Sequence, residues 1–400
     1  MRSNKWVTFA LGMQGVAMAA AVAGVAEIPA IRQDPAGTAY DRIWGMSTLY
    51  KDETNPLLQE FAIQGQLQTQ YAYGSDDTGH FGSGDMLDSC RWGDVEVRRF
   101  RLGLRARMWH SLKFHSLVDV NPDFSPTFYK GIAEMYLSYS QGDAFAFSVG
   151  KAELKFTREQ EISSKEILTF ERSQLVNQFY GGELTGAWVS GKGIAGGLLY
   201  ELGVYGNDRH DEWTDFDGGA MILGKVGYNY TLSTPFDLAQ VELHYLHNTD
   251  PGWSEGAGSL ASPKYGDCVA VSNDLTEGRF ALMTEAFWGD GEVGRPDVFG
   301  VSVMPSWSLT KELQAVGLFE LAWSDGDNGV FLPTRYEAKS PGAGDKAGDR
   351  LGSAYLGLNW YLYGHKLKLM SGVKYTYLDG GSGGGDFDGW SGWVGLRLGF

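Results

Sequence analysis

The chain has 400 residues, of which 43% are hydrophobic and 14% aromatic, and it carries a formal net charge of −16 at pH 7. With 56 Gly and only 12 Pro, this composition excludes disordered and collagen-like chains, and the acidic balance argues against nucleic acid as a partner. The chain has two Cys and seven His, and the His residues lack metal-ligand spacing. We therefore predict no metal site and no cofactor.

Residues 1–26 have the pattern of a signal peptide. Two basic residues, Arg2 and Lys5, precede an uncharged apolar stretch that ends in small residues suited to signal peptidase. A single membrane anchor is the alternative interpretation of the same stretch. We expect an exported protein. Residues 27–60 show no clear period and are expected to form an N-terminal periplasmic segment of unknown structure.

From residue 61 onward, apolar and polar residues alternate over stretches of about ten positions, which is the periodicity of a β-strand. In the first stretch, Gln64, Gln66, Gln68 and Gln70 share one face and apolar residues share the other. Sixteen such segments are predicted, at residues 61–73, 95–109, 112–120, 131–140, 144–152, 184–190, 197–206, 218–230, 236–247, 267–273, 277–289, 297–307, 312–323, 351–363, 366–378 and 389–400.

The breaks between these segments are alternately short and long. Breaks of two or three residues, such as 110–111 and 364–365, alternate with long Gly- and Asp-rich ones such as 74–94 and 153–183. Every backbone group in a bilayer must be paired, and only closure of the sheet removes its edges. We therefore predict an all-β fold over residues 61–400, a sixteen-stranded antiparallel transmembrane β-barrel in the bacterial outer membrane. It has short periplasmic turns and long extracellular loops.

A soluble β-sandwich also alternates and is the competing fold. The last strand alternates up to Phe400, and this ending resembles the C-terminal signal read by the barrel assembly machinery. Outer-membrane lipid and lipopolysaccharide are the expected surroundings. Cys90 and Cys268 both fall near predicted outer loops, so a disulfide is feasible in an exported protein.

The second segment carries a row of basic side chains on one face, at Arg99, Arg101, Arg105 and Arg107. The row spans about 26 Å along the strand. Arginines facing lipid at mid-depth would cost about 2 to 4 kcal/mol each, so a water-filled lumen is the inexpensive location. Successive guanidinium groups there would form weak anion sites that allow hand-over conduction. By alternation, Lys113, Lys374 and Arg397 face the same lumen and extend one basic wall.

The long connection after the fifth segment, residues 153–183, carries many charges of both signs and is the expected constriction loop. Such a loop, folded into the barrel, would face the basic wall across a narrow passage. The alternative is an exposed loop. The charged candidates in or beside it are Lys151, Lys155, Arg158, Glu159, Glu161 and Lys165.

Three stretches, at residues 98–105, 149–173 and 357–369, resemble the family of phosphate-selective porins O and P. The resemblance implies a sixteen-stranded, trimeric outer-membrane porin in which an arginine ladder guides anions to a lysine-containing constriction. The ladder is carried onto the four arginines named above. We expect a passive channel, not an enzyme, that favours small anions such as phosphate. A structural or adhesive barrel whose loops plug its lumen is the alternative, and a barrel-embedded hydrolase is a weaker one. The residues alone support either an anion-conducting arginine row or one that only holds an acidic loop.

Overall fold

The structure is a computed structural model, and it describes residues 38–76, 91–122, 127–207, 212–251, 265–333, 335–337, 347–380 and 386–400. The predicted signal peptide and Cys90 lie outside the described residues. Cys268 is buried. No helix among the described residues is long and apolar enough to cross a membrane.

Sixteen antiparallel strands form one closed sheet, in which each strand pairs with its two neighbours and β16 pairs with β1. The predicted sixteen-stranded barrel is therefore confirmed, and its first strand begins three residues earlier than the alternation indicated. The strands are β1 Leu58–Asp76, β2 Arg91–Met108, β3 Leu112–Val120, β4 Tyr129–Gln141, β5 Phe145–Glu153, β6 Glu183–Ile194, β7 Leu198–Gly206, β8 Ala220–Asn229, β9 Leu238–Asn248, β10 Tyr265–Glu277, β11 Phe280–Gly291, β12 Val298–Ser308, β13 Leu313–Ser324, β14 Arg350–Tyr363, β15 Leu367–Asp379 and β16 Phe387–Gly399.

The two faces of the strands differ as the alternation predicts. On β9, Val241, Leu243 and Tyr245 are exposed on the outside, whereas Glu242 and His244 are buried inside. Aromatic side chains such as those of Trp360 and Trp390 are also exposed on the outer face, and rings near strand ends suit the two membrane interfaces. The outside is an apolar belt and the inside is polar.

The segment before the barrel is ordered from residue 38. Helix α1 (Ala39–Gly45) begins with a capping box between Thr38 and Asp41. It is held at the short-turn end by the Trp44 Nε1 atom, which donates to the Gly399 carbonyl at 2.7 Å. After α1, a short strand (Thr48–Lys51) pairs with the first residues of β1. These β1 residues lie beyond the end of β16, so the short strand supplies the backbone partners that β16 is too short to provide.

The remaining regular elements lie in the connections. Helices α2 (Arg158–Glu161) and α3 (Gln174–Gln178) belong to the connection between β5 and β6, residues 154–182, which we call L3. A single 3₁₀ turn spans Thr231–Ser233. The connection between β13 and β14 contains a two-stranded ladder of Val330–Phe331 with Ala347–Gly348.

Candidate functional site

L3 folds into the barrel and does not lie on its surface. Phe156, Phe170 and Phe179 of L3 are at most 1% exposed. The Phe170 ring stacks on Trp393 of β16 at 5.9 Å between centroids, and the Phe179 ring stacks on Phe287 of β11 at 6.0 Å. Apolar burial against two separate parts of the wall thus fixes L3 inside the barrel.

Polar groups of the wall bind the backbone of L3. Arg397 Nη2 donates to the Phe170 carbonyl at 3.0 Å, and Lys368 Nζ donates to the Ile167 carbonyl at 2.6 Å. In the reverse direction, Lys165 Nζ of L3 donates to the Phe400 carbonyl at 3.1 Å. Buried backbone carbonyls need such donors, because water does not reach them. The wall of β14 to β16 is consequently covered by L3.

Two glutamates of the wall accept hydrogen bonds from the first turns of the L3 helices. Glu285 Oε1 accepts from the Arg158 backbone N–H at 2.7 Å. Glu320 Oε1 accepts from the backbone N–H of Gln174 at 2.5 Å and of Leu175 at 3.3 Å. The first N–H groups of a helix have no partner within the helix, so these carboxylates satisfy them and position both helices.

Ion pairs complete the attachment of L3. Arg158 Nε lies 2.6 Å from Asp274 Oδ2 of β10, and Arg172 Nη1 lies 2.6 Å from Glu153 Oε1. Glu159 is 1% exposed, and burial raises the pKa of its carboxyl to about 7. The Ser173 N–H donates to Glu159 Oε2 at 3.0 Å. L3 is therefore a fixed internal structure held from several sides.

The arginine row on β2 has one member that alternation does not reveal. The register between β1 and β2 shifts where Gln68 faces Arg99 and Thr69 faces Val97. Arg98 is the extra residue of this β-bulge, and a bulge re-aims side chains. Arg98 Nε donates to Glu171 Oε1 of L3 at 2.5 Å, while Arg99 Nη1 donates to Gln68 Oε1 at 3.0 Å. Both side chains thus point inward.

The rest of the arginine row has a covered half, which is Arg101, and an open half, which consists of Arg105 and Arg107. Arg101 lies 2.7 Å from Asp119 and 3.3 Å from Glu183, with only 13% of its side chain exposed. Arg105 lies 2.9 Å from Glu60, and 42% of its side chain is exposed.

Arg107 at the short-turn end pairs with Glu53 of the segment before the barrel and is 31% exposed. Every arginine from Arg101 to Arg107 on this face has a carboxylate partner. Only the last two open onto solvent.

Three other candidates on the wall are covered by connections. Lys374 Nζ lies 2.5 Å from Glu337 Oε1 of the β13–β14 connection. Lys151 is 2% exposed, and its ammonium group donates to the Glu212 carbonyl of the β7–β8 connection. Arg397 is 1% exposed beneath L3. Connections of the barrel therefore cover Lys374, Lys151 and Arg397, which face the interior of the barrel.

A polar cavity of about 740 Å³ lies between L3 and the strands from β1 to β7. Its charged lining combines four cations with four carboxylates: Arg105, Arg107, Lys113, Lys155, Glu60, Glu134, Glu153 and Glu201.

Each carboxylate of this lining has a basic side chain within 4.0 Å. The pairs are Glu60 with Arg105, Glu134 with His115, Glu153 with Arg172, and Glu201 with Lys225. Within the described part of the chain, Lys113 and Lys155 have no carboxylate at that distance. Two lysines of the cavity therefore lack a carboxylate partner, whereas His115 beside Glu134 adds a positive charge only when it is protonated.

Alternation identified the inward faces, but it missed the residues that hold L3. Glu285 and Glu320 are inward by alternation, yet nothing in their sequence context indicates that they cap helices of L3. Arg98 could not be found, because a β-bulge leaves no local signal in this sequence. Lys155 and Lys113 are among the candidates that the sequence predicts, but the sequence does not distinguish them from Lys151 and Lys374, which are paired in the structure.

A closed sixteen-stranded barrel with an apolar outer belt, an inward loop and a polar cavity beside that loop has the architecture of an outer-membrane porin. Residues 68–222 match the family model of phosphate-selective porin O and P, which confirms the resemblance over that part of the chain. The family match and the barrel place the protein in the bacterial outer membrane. No curated protein matches the sequence.

Solved structures with the same fold include three outer-membrane proteins. The outer membrane channel DcaP of Acinetobacter baumannii is 12% identical, with 88% of this chain and 99% of that one covered and a TM-score of 0.54. For OmpT of Vibrio cholerae the identity is 12%, the coverage 88% and 100%, and the TM-score 0.55. OmpF of Salmonella typhi in complex with daunomycin is 11% identical, with 88% of this chain and 100% of that one covered and a TM-score of 0.53. At such identities the likeness shows the fold alone.

Proposed function

We propose that this porin is a passive diffusion channel for small hydrophilic solutes with a preference for anions, phosphate among them. The observation that carries the proposal is the charge of the cavity beside L3, where Lys113 and Lys155 are the unpaired charged groups among the described residues. A nearby unit charge changes the energy of an ion by about 1 kcal/mol in water and by more in a less polar passage. Two unpaired ammonium groups therefore favour anions several-fold.

The open half of the arginine row supports the same preference. Arg105 and Arg107 line the cavity together with the two lysines, and a guanidinium group offers planar donors that fit phosphate and carboxylate oxygens. Their partners Glu60 and Glu53 weaken each site. Weak, successive sites let an anion leave as readily as it enters, which conduction requires.

The test is the reversal potential of the purified protein in a planar bilayer under a KCl gradient. We expect anion preference in the unmodified protein and partial block of the chloride current by phosphate. Lys113→Gln combined with Lys155→Gln should lower the ratio of anion to cation permeability several-fold, whereas Lys311→Gln, in the short turn between β12 and β13, should not change it. Cation preference in the unmodified protein, or an unchanged ratio in the double variant, would contradict the proposal.

The same proposal includes the surroundings of the channel. We infer a homotrimer, contacts with outer-membrane lipid and lipopolysaccharide, delivery to the barrel assembly machinery through Phe400, and export directed by residues 1–26. We assign no catalytic residue and no cofactor. Cross-linking of the protein in native membranes, followed by mass determination, tests the trimer.

A second candidate function is a structural barrel with a plugged lumen. It is favoured by the burial of Arg397 beneath L3 and by the contacts of Glu337 and Glu212 with inward lysines. This candidate predicts negligible conductance in the bilayer experiment, and a measurable ohmic current in the unmodified protein rules it out.

A further inference from the structure

A buried histidine without hydrogen-bond partners lies where L3 meets β9. His244 is 0% exposed, and neither of its ring nitrogens has a hydrogen-bond partner among the described residues. Its Nε2 atom lies 3.3 Å from Glu242 Oε2, but the geometry is not that of a hydrogen bond. Buried polar groups are almost always paired, and leaving one unpaired is destabilising. The buried imidazole of His244 is therefore available to bind a ligand or an ion.

Two glutamates converge on this histidine. Glu242 lies two positions before it on β9, and Glu161 is the last residue of α2 in L3. One potential ligand atom from each of Glu161, Glu242 and His244 lies within 4.8 Å of the other two. The Glu242 Oε2 atom is buried and has no hydrogen-bond partner in the described part of the chain.

The charges around this group do not balance. Arg158 lies within 4.0 Å of Glu161, Glu242 and Asp274. Lys225 lies within the same distance of Glu161, Glu201 and Glu242. Two cations thus face four carboxylates, which leaves two negative charges uncompensated when all are ionised.

Uncompensated charge in a partly desolvated site is strongly destabilising. A protonated histidine would supply one positive charge at this site, and a divalent cation would supply two.

We propose that Glu161, Glu242 and His244 bind a divalent cation of the zinc type, which fastens L3 to β9. One imidazole nitrogen and two carboxylate oxygens form a ligand set that zinc accepts, with water in the remaining position. Lys225 competes with the ion, because its ammonium group contacts Glu161. It has an alternative partner in Glu201, 3.8 Å away, so the ion displaces it over a short distance.

The first experiment measures zinc bound to the detergent-folded protein by equilibrium dialysis against ZnCl₂, using protein made without a polyhistidine tag. We expect one high-affinity zinc per chain. His244→Gln should weaken it more than about tenfold, since even the loss of a group that only supports a ligand costs 10-fold to 100-fold. His247→Gln is the matched control, because His247 lies on the same strand but contacts Asp267, away from this group.

A second variant should change the affinity for zinc in the opposite direction. Lys225→Met removes the competing ammonium group, so it should bind zinc more tightly than the unmodified protein. Heat modifiability on gels checks that each variant is folded, and a change in the visible absorption of bound Co²⁺ between the unmodified protein and His244→Gln reports whether His244 is a ligand. Equal affinity in the unmodified protein and in His244→Gln, or no gain in Lys225→Met, would overturn the proposal.

Discussion

Arg98 Nε and Glu171 Oε1 lie 2.5 Å apart, and this contact joins β2 to L3 inside the barrel. A second contact, between Arg98 Nη2 and Glu171 Oε2 at 2.8 Å, makes the pair bidentate. Although burial favours the neutral form of Glu171, Arg98 holds the pKa of its carboxyl below the usual value. The pair exists because a β-bulge turns Arg98 inward. It attaches L3 to the strand that carries the arginine row.

Breaking this pair should loosen L3 more than it changes the charge of the passage. We expect Arg98→Gln to lower stability by about 1 to 3 kcal/mol, because it leaves the half-buried Glu171 without its bidentate partner. The temperature at which the folded band disappears on a gel measures the effect. Adding Glu171→Gln should recover part of the loss. If the stability lost in the double variant equalled the sum of the losses in the two single variants, the two side chains would act independently.

Arg105 and Arg397 should behave differently when each is replaced by Gln. Arg105 is open to the cavity, so its loss leaves Glu60 facing water and should reduce anion preference without unfolding. Arg397 donates to the Phe170 carbonyl beneath L3, so its loss should lower stability by about 1 to 3 kcal/mol. Reversal potentials and thermal transitions of the two variants provide the comparison. Equal effects of both variants on selectivity would contradict the division of the lumen into an open and a covered part.

Stability should fall between about pH 4.5 and pH 7 through Glu159. Burial raises the pKa of its carboxyl from the ordinary value of 4.5 to about 7. In this window the unfolded chain loses the proton first, so the folded state binds more protons and the free energy of unfolding decreases as the pH rises. Glu159→Gln should flatten this dependence, as measured by thermal transitions at pH 5 and pH 8. Glu166→Gln, at an exposed position of L3, is the control and should keep the slope.

The side chain of Phe400 should matter more for assembly in the cell than for the finished barrel. The backbone of Phe400 exchanges two hydrogen bonds of 3.0 Å with Gly65, and Phe400→Ala leaves these intact. We expect a clear loss of outer-membrane yield for this variant, together with near-normal refolding of the purified chain in detergent. Normal yield in the cell would contradict a role of this residue in delivery.

Alternation predicts which residues of the wall face inward wherever the strand register is regular. Because side chains on a strand point to opposite faces in turn, the inward positions of Arg101, Glu242 and Glu320 follow once the strands are found. The asymmetry of short and long breaks predicted the closed barrel with short turns at one end and long loops at the other. The rule failed at Arg98, where one extra residue changes the phase without any Gly or Pro to mark it.

Which inward charges are free is decided by contacts between residues far apart in the chain. Lys151 and Lys155 are four positions apart, yet only Lys155 lies in the cavity beside L3, because Glu212 of another connection covers Lys151. The sequence by itself determined the barrel, its two faces and the basic character of β2, since these depend on local periodicity. Only the tertiary structure decided which cations remain unpaired and where L3 is fastened. Those outcomes depend on the distances at which separate segments meet inside the closed sheet.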